Sequence, residues 1–113
     1  LQGLSLAEYI TQLSHWCESQ VRIIIHQLIQ AVSYLHEHRV CHLDIKPENI
    51  IMTGKYNEIL KLCGFSNAVP KEDFGSRRHM GLTSPFSAPE LLKGEPIQFN
   101  SDMWSIGILT FLW

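Results

Sequence analysis

The sequence is short of several things, and each shortage excludes a class of protein. No apolar stretch in its 113 residues approaches the ~20 needed to cross a bilayer, so no membrane partner is expected. A charged leader followed by an apolar run, the mark of a secretory signal, is also missing. The three cysteines, Cys17, Cys41 and Cys63, are odd in number and widely spaced, with no CxxC pair. That excludes a disulfide framework and points to a reducing, cytoplasmic setting. Charged residues make up 18 % and the net charge is −2, with no long run of one sign. No broad basic surface is therefore on offer to nucleic acid. Internal repeats and low-complexity segments are absent as well.

What is present is globular: 45 % of residues are hydrophobic, and the length allows at most one domain. The chain opens at Leu1 rather than at a methionine and closes at Trp113 inside the apolar run 106–113, so both ends are expected to be truncations.

Residues 4–13 fit a short amphipathic helix with Ser5 as N-cap and Glu8 three residues on, a capping box. The strongest helical pattern runs from Glu18 to His36 or His38. Val21, Ile24, Ile25, Leu28, Ile29, Val32 and Leu35 recur on a 3.6-residue period, which predicts one buried stripe that needs a partner surface. Residues 40–49 have no helical period, and Pro47 biases Lys46 towards extended backbone, so a loop is predicted. Ile50-Ile51-Met52 and Ile59-Leu60-Lys61-Leu62 read as two short strands joined by a turn between Gly54 and Asn57. Residues 64–90, broken by Pro70, Gly75, Gly81 and Pro85, read as a long loop of the length that is functional or disordered. Pro89 suits the first turn of a short helix, and a last helix is expected to start near Ser101, which can cap it, and to run beyond Trp113. The fold class is thus mainly α with a short β-hairpin.

The chemistry concentrates in His42-Leu43-Asp44-Ile45-Lys46-Pro47-Glu48-Asn49. Phosphoryl transfer asks for charge placement more than covalent chemistry: a carboxylate to take the attacking hydroxyl's proton and a cation for the moving phosphate. Magnesium adds a demand for oxygen ligands. Asp44, Lys46 and the Asn49 amide oxygen offer all three within one loop.

This segment resembles the protein-kinase catalytic loop H-R-D-L-x-x-x-N, with Leu43 in place of the arginine. Further matches follow in order. Ser87-Ala88-Pro89-Glu90 resembles the A-P-E end of the activation segment, and Ser101-Asp102-Met103-Trp104-Ser105-Ile106-Gly107 the D-x-W-S-x-G helix start. Tyr34-Leu35-His36 is also typical. The wording His-Leu-Asp-Ile-Lys-Pro-Glu-Asn is similar to the myosin-light-chain-kinase, titin, obscurin and trio-type kinases of the calcium/calmodulin-dependent group.

The resemblance implies a partial kinase domain, the first half of the helical lobe of an α+β fold. Its parts would be a long helix 18–38, catalytic loop 40–49, strand pair 50–62, activation segment 64–90 and the start of a central helix 101–113. It implies ATP and magnesium as cofactors. Asp44 would be the catalytic base, Lys46 a contact to the transferred phosphate and Asn49 a magnesium ligand. His42 and Glu48 would be structural or substrate-site residues, with Lys46-Pro47-Glu48 the serine/threonine-kinase wording. Thr83 would shape the hydroxyl site, Asp102 would tie the last helix to the loop backbone, and Glu90 would pair with an arginine further on. The partner would be a protein substrate or a scaffolded protein, with calmodulin reached through segments outside these residues.

Two departures stand out. Leu43 removes the arginine that receives an activation-loop phosphate, implying control by other means. In Cys63-Gly64-Phe65-Ser66-Asn67-Ala68, Phe65 and Ala68 fit the D-F-G-x-A frame, so Gly64 stands where the metal-binding aspartate belongs. Losing that carboxylate costs ~4 kcal/mol of transition-state stabilisation, about a thousandfold in rate, which implies a pseudokinase or a weakened kinase. A literal Asp73-Phe74-Gly75 is set aside, because Pro70-Lys71-Glu72 rather than a strand precedes it and too short a segment remains before Ala88. No glycine-rich loop or V-A-I-K lysine is present, so nucleotide binding by these residues alone is not expected.

Bland readings are preferred elsewhere. His36, His38, Cys41 and His42 have a zinc-like spacing, but the kinase frame explains His36 and His42. Arg77-Arg78-His79 reads as a solvated loop face. Trp16, Trp104 and Trp113 read as packing residues.

Overall fold

The computed structural model describes residues 3–12, 17–56, 58–75 and 85–112. Leu4–Ser5 form a two-residue strand, β1, that runs straight into helix α1, Leu6–Gln12. The capping box holds this start: the Ser5 N–H donates to Glu8 Oε2 at 2.9 Å and the Glu8 N–H to Ser5 Oγ at 3.1 Å. Helix α2 spans Glu18–Glu37. Strand β2, Val40–Cys41, precedes the loop, and β3, Ile50–Thr53, and β4, Ile59–Leu62, form the hairpin. Strand β5 is Val69–Pro70, α3 is Pro89–Leu92 and α4 is Asn100–Phe111.

The strands make two small antiparallel sheets, β1-β3-β4 and β2-β5. The first lies against α2. Gln27 fixes that packing by donating to the Glu58 carbonyl at 2.9 Å and accepting the Leu60 N–H at 3.0 Å. The main core joins Leu6, Ile24, Leu28 and Val32 to Ile50 and Met52 of the hairpin and Ile106 and Leu109 of α4. A second cluster gathers Cys41, Leu43, Val69, Ala88, Leu91 and Ile97.

Several expectations are corrected. Ile29 is 40 % exposed, because the face of α2 that meets the hairpin and α4 is the narrower line Ile24, Leu28, Val32, with Ile29 on its flank. The last helix starts at Asn100, and Ser101 does not cap it: the Ser101 hydroxyl lies inside the first turn and donates to Glu90 at 2.7 Å. Residues 65–75 are more ordered than a plain loop, with 3₁₀ turns at Phe65–Asn67 and Lys71–Asp73 on either side of β5. Trp104 is 45 % exposed rather than packed. Thr83, the segment Arg77-Arg78-His79, Trp16 and Trp113 lie outside the described residues. Among the described residues, no helix is long and apolar enough to cross a membrane.

Candidate functional site

The loop of interest starts where α2 ends. Arg39 follows the His38 C-cap in the left-handed region (φ 64°), and its N–H donates to the His36 carbonyl at 3.0 Å, so the chain turns sharply into β2. Four residues after Arg39, Leu43 is also left-handed (φ 69°). For a bulky residue that conformation costs about 1–2 kcal/mol. It is held by Asp102, whose Oδ2 accepts the His42 N–H and whose Oδ1 accepts the Leu43 N–H, both at 2.8 Å. Hydrogen bonds to a charged acceptor each contribute about 1.5–3 kcal/mol, enough to offset the strain.

Asp102 is fully buried near the start of α4, and His36 Nε2 at the end of α2 donates to its Oδ2 at 2.9 Å. Burial is the largest influence on its ionisation and pushes the pKa up. The hydrogen bonds from His36, the His42 and Leu43 N–H groups and Cys41 outweigh it, and the pKa lies below the ordinary 3.8. Cys41 is buried beside this carboxylate; burial first, then the charge of Asp102, push its thiol pKa far up. His36, Cys41 and Asp102 place ligand atoms within 4.8 Å of one another. Their polar atoms are spent inside the protein, with the Cys41 thiol directed at the Gln98 carbonyl at 3.4 Å. Of the four residues in the spacing noted in the sequence, His36 and Cys41 come together, while His38 Nδ1 donates to the Tyr34 carbonyl and His42 Nε2 to the Cys63 carbonyl.

His42 is fully buried and its tautomer is fixed by its neighbours. Nδ1 accepts the Asp44 N–H at 3.0 Å, so Nε2 carries the proton and donates to the Cys63 carbonyl at 2.8 Å. Phe65 stands edge-on to its ring, centroids 4.9 Å apart. The Cys63 N–H donates to the Asn49 carbonyl at 2.8 Å, so the end of β4 is fastened to the loop from both sides.

Asp44, Lys46 and Asn49 meet on this frame. Lys46 Nζ is 3.4 Å from Asp44 Oδ1. Asn49 Nδ2 donates to the Asp44 carbonyl at 2.7 Å and to Asp44 Oδ2 at 3.0 Å. Across from them lies Gly64, left-handed at φ 74°, ψ 54°. A Cβ built there would fall 2.7 Å from Asn49 Nδ2 and closer still to Cγ and Oδ1. The position thus admits glycine as it stands, and Asn49 fills the room. Glu48 is exposed within the 3₁₀ turn Pro47–Asn49. Glu90 accepts from Ser101.

The donor set does not suit magnesium, which wants several hard oxygens in near-octahedral array. Among the described residues the cleft offers one carboxylate, Asp44, already engaged by Lys46 and Asn49. Asp102 is closed off by backbone N–H groups. The literal Asp73-Phe74-Gly75 belongs to the other cluster: Phe74 packs on Phe99 at 4.9 Å beside Leu91 and Ile97. It is entered from a 3₁₀ turn, Lys71–Asp73, and the two-residue strand β5 ends before that turn at Pro70. Leu43, in the arginine position, is buried in the same cluster. The left-handed Leu43 and Arg39 had no sequence signal, since neither residue type favours that conformation.

Comparison with known proteins follows the same lines. A family model described as "Protein kinase domain" matches residues 1–112. Striated muscle preferentially expressed protein kinase of Danio rerio is 37 % identical over 110 residues, 95 % of this chain and 4 % of that one. Death-associated protein kinase 2 of Homo sapiens is 34 % identical over 114 residues, covering 99 % and 31 %. Smooth muscle myosin light chain kinase of Gallus gallus is 40 % identical over 86 residues, covering 76 % and 4 %. Among solved structures, the twitchin kinase fragment of C. elegans superposes with a TM-score of 0.79 at 30 % identity, over 97 % of this chain and 25 % of that one. The chain spans less than a third of the length of each of these relatives. It belongs to the protein kinase domain family, with relatives among the myosin-light-chain, titin-like, twitchin and death-associated kinases of the calcium/calmodulin-dependent type.

Proposed function

We propose that the chain is the first half of the helical lobe of a protein serine/threonine kinase domain, and that its parent transfers phosphate from ATP to protein serine or threonine. The observation that carries this reading is the gathering of Asp44, Lys46 and Asn49 on a loop whose backbone Asp102 holds from beneath. In this reading Asp44 orients the substrate hydroxyl and takes its proton, and Lys46 meets the charge of the moving phosphate. His42 sets the loop, through its bonds to Asp44 and Cys63. Residues 64–90 form the activation segment, where Thr83 shapes the hydroxyl site. Calmodulin-type regulation, as in relatives of this group, would act through segments outside these residues.

A second reading is favoured by Gly64: a kinase-shaped scaffold or regulator with little or no transfer activity. The missing carboxylate leaves the cleft one metal ligand short.

The test is a phosphotransfer assay on the intact protein with a peptide library and identification of the modified residue. A transferring parent labels serine or threonine and loses about 10²–10⁴ of its rate in Asp44→Asn. Labelling that is unchanged by Asp44→Asn sinks the enzymatic assignment. Ordinary kinase rates in the wild type sink the scaffold reading.

A further inference from the structure

We infer that Asn49 serves here as a fixed brace for Asp44, from the room that Gly64 leaves, and that the cleft takes no divalent cation. The inference deepens the functional reading above and rests on its assignment of the cleft.

The orientation of the carboxamide decides the matter. Both Nδ2 protons are used on Asp44, one on its carbonyl at 2.7 Å and one on Oδ2 at 3.0 Å. Flipping the amide would set its oxygen against two acceptor oxygens, so the assignment follows from the surroundings. The other carboxylate oxygen, Oδ1, faces Lys46 Nζ at 3.4 Å. Asp44 is thus held at both oxygens by groups of this chain, one an ammonium and one an amide. The Asn49 carboxamide lies where any side chain on Gly64 would have to begin. Among the described side chains, a cation entering from that side would meet the neutral oxygen Asn49 Oδ1, and to reach the Asp44 carboxylate it would have to displace Lys46 or the amide. Magnesium gives up its water reluctantly and is held by carboxylates, so one amide oxygen does not retain it. A phosphate in this cleft would be met by Lys46 with no metal bridge.

Manganese(II), alone and without nucleotide or peptide, is the probe. The intact protein is titrated with MnCl₂ and free cation is read by electron paramagnetic resonance. The Asn49 side-chain NH₂ cross-peaks, located by their loss in Asn49→Ala, are followed in a ¹⁵N spectrum. The expected result is no saturable cleft site up to millimolar cation, with the Asn49 peaks keeping their intensity. Binding that survives both Asn49→Ala and Asp44→Asn lies outside the cleft and agrees with the inference. A stoichiometric site that weakens by about tenfold or more in Asn49→Ala or in Asp44→Asn, or selective broadening of the Asn49 peaks at substoichiometric manganese, overturns it. Failure of phosphotransfer would leave this result untouched, since neither nucleotide nor substrate enters the measurement.

Discussion

Asp102 and Asp44 each bring a carboxylate to the loop His42–Asn49, but under opposite conditions. Asp102 is wholly buried and accepts from two backbone N–H groups inside the fold, those of His42 and Leu43, and from His36 and Cys41. Asp44 keeps its side chain 19 % exposed and is held by two side chains of its own loop, Lys46 and Asn49. The comparison separates what shapes the loop from what the loop offers. A buried acceptor cannot be removed without leaving N–H groups unsatisfied. Asp44 makes fewer bonds to the frame, whereas Gly64 beside it is exchanged only if the Asn49 carboxamide moves.

The largest expected effect breaks the comparison from beneath. Asp102→Ala in the intact protein should cost about 3–5 kcal/mol in urea unfolding, against less than about 1 kcal/mol for Asp44→Ala. Equal losses would erase the distinction. The same carboxylate sets a pH dependence. Its folded pKa is lower than its unfolded one, so its contribution is complete above the ordinary value of 3.8 and is lost as pH falls through the lower folded value. The difference in unfolding midpoint between wild type and Asp102→Asn should therefore shrink on acidification below pH 4 and stay flat above about pH 5; a difference that grows on acidification would contradict this.

A smaller effect sharpens the far wall of the cleft. Gln27 clamps Glu58 and Leu60 at the start of the strand that leads to Gly64. Gln27→Ala should cost about 1–2 kcal/mol, with faster amide hydrogen exchange at Leu60, whose N–H loses its acceptor. Unchanged exchange there would mean that the clamp contributes nothing. The smallest effect runs the other way. Arg39 is exposed and left-handed, so Arg39→Gly should raise stability by about 0.5–1 kcal/mol. A loss would show that its side chain makes up for the strain.

Helix α2 was legible because its 3.6-residue apolar period survives in the sequence, the hairpin because two short apolar runs, 50–52 and 59–62, flank a turn, and Ser5 with Glu8 spelled a cap that forms. Ile29 misled because a stripe read from periodicity is wider than the face that finds a partner. The grouping of Asp44, Lys46 and Asn49 was legible as a motif, but their bonds were not. Nothing in the order of residues shows that Asn49 turns both amide protons on Asp44, or that Ser101 faces Glu90 instead of capping its own helix. Those choices are made by residues far apart in the chain, such as Gly64 against Asn49, where the absence of one Cβ frees the space.

The central claim is that the frame is intact and the carboxylate at position 64 is what the cleft lacks. Aspartate tolerates the left-handed backbone there, and its Cβ would push the Asn49 carboxamide aside. The direct measurement is the phosphotransfer rate of the intact protein with ATP and magnesium, wild type against Gly64→Asp. The account predicts a gain of about a thousandfold in Gly64→Asp. A wild type already as fast as Gly64→Asp would contradict it.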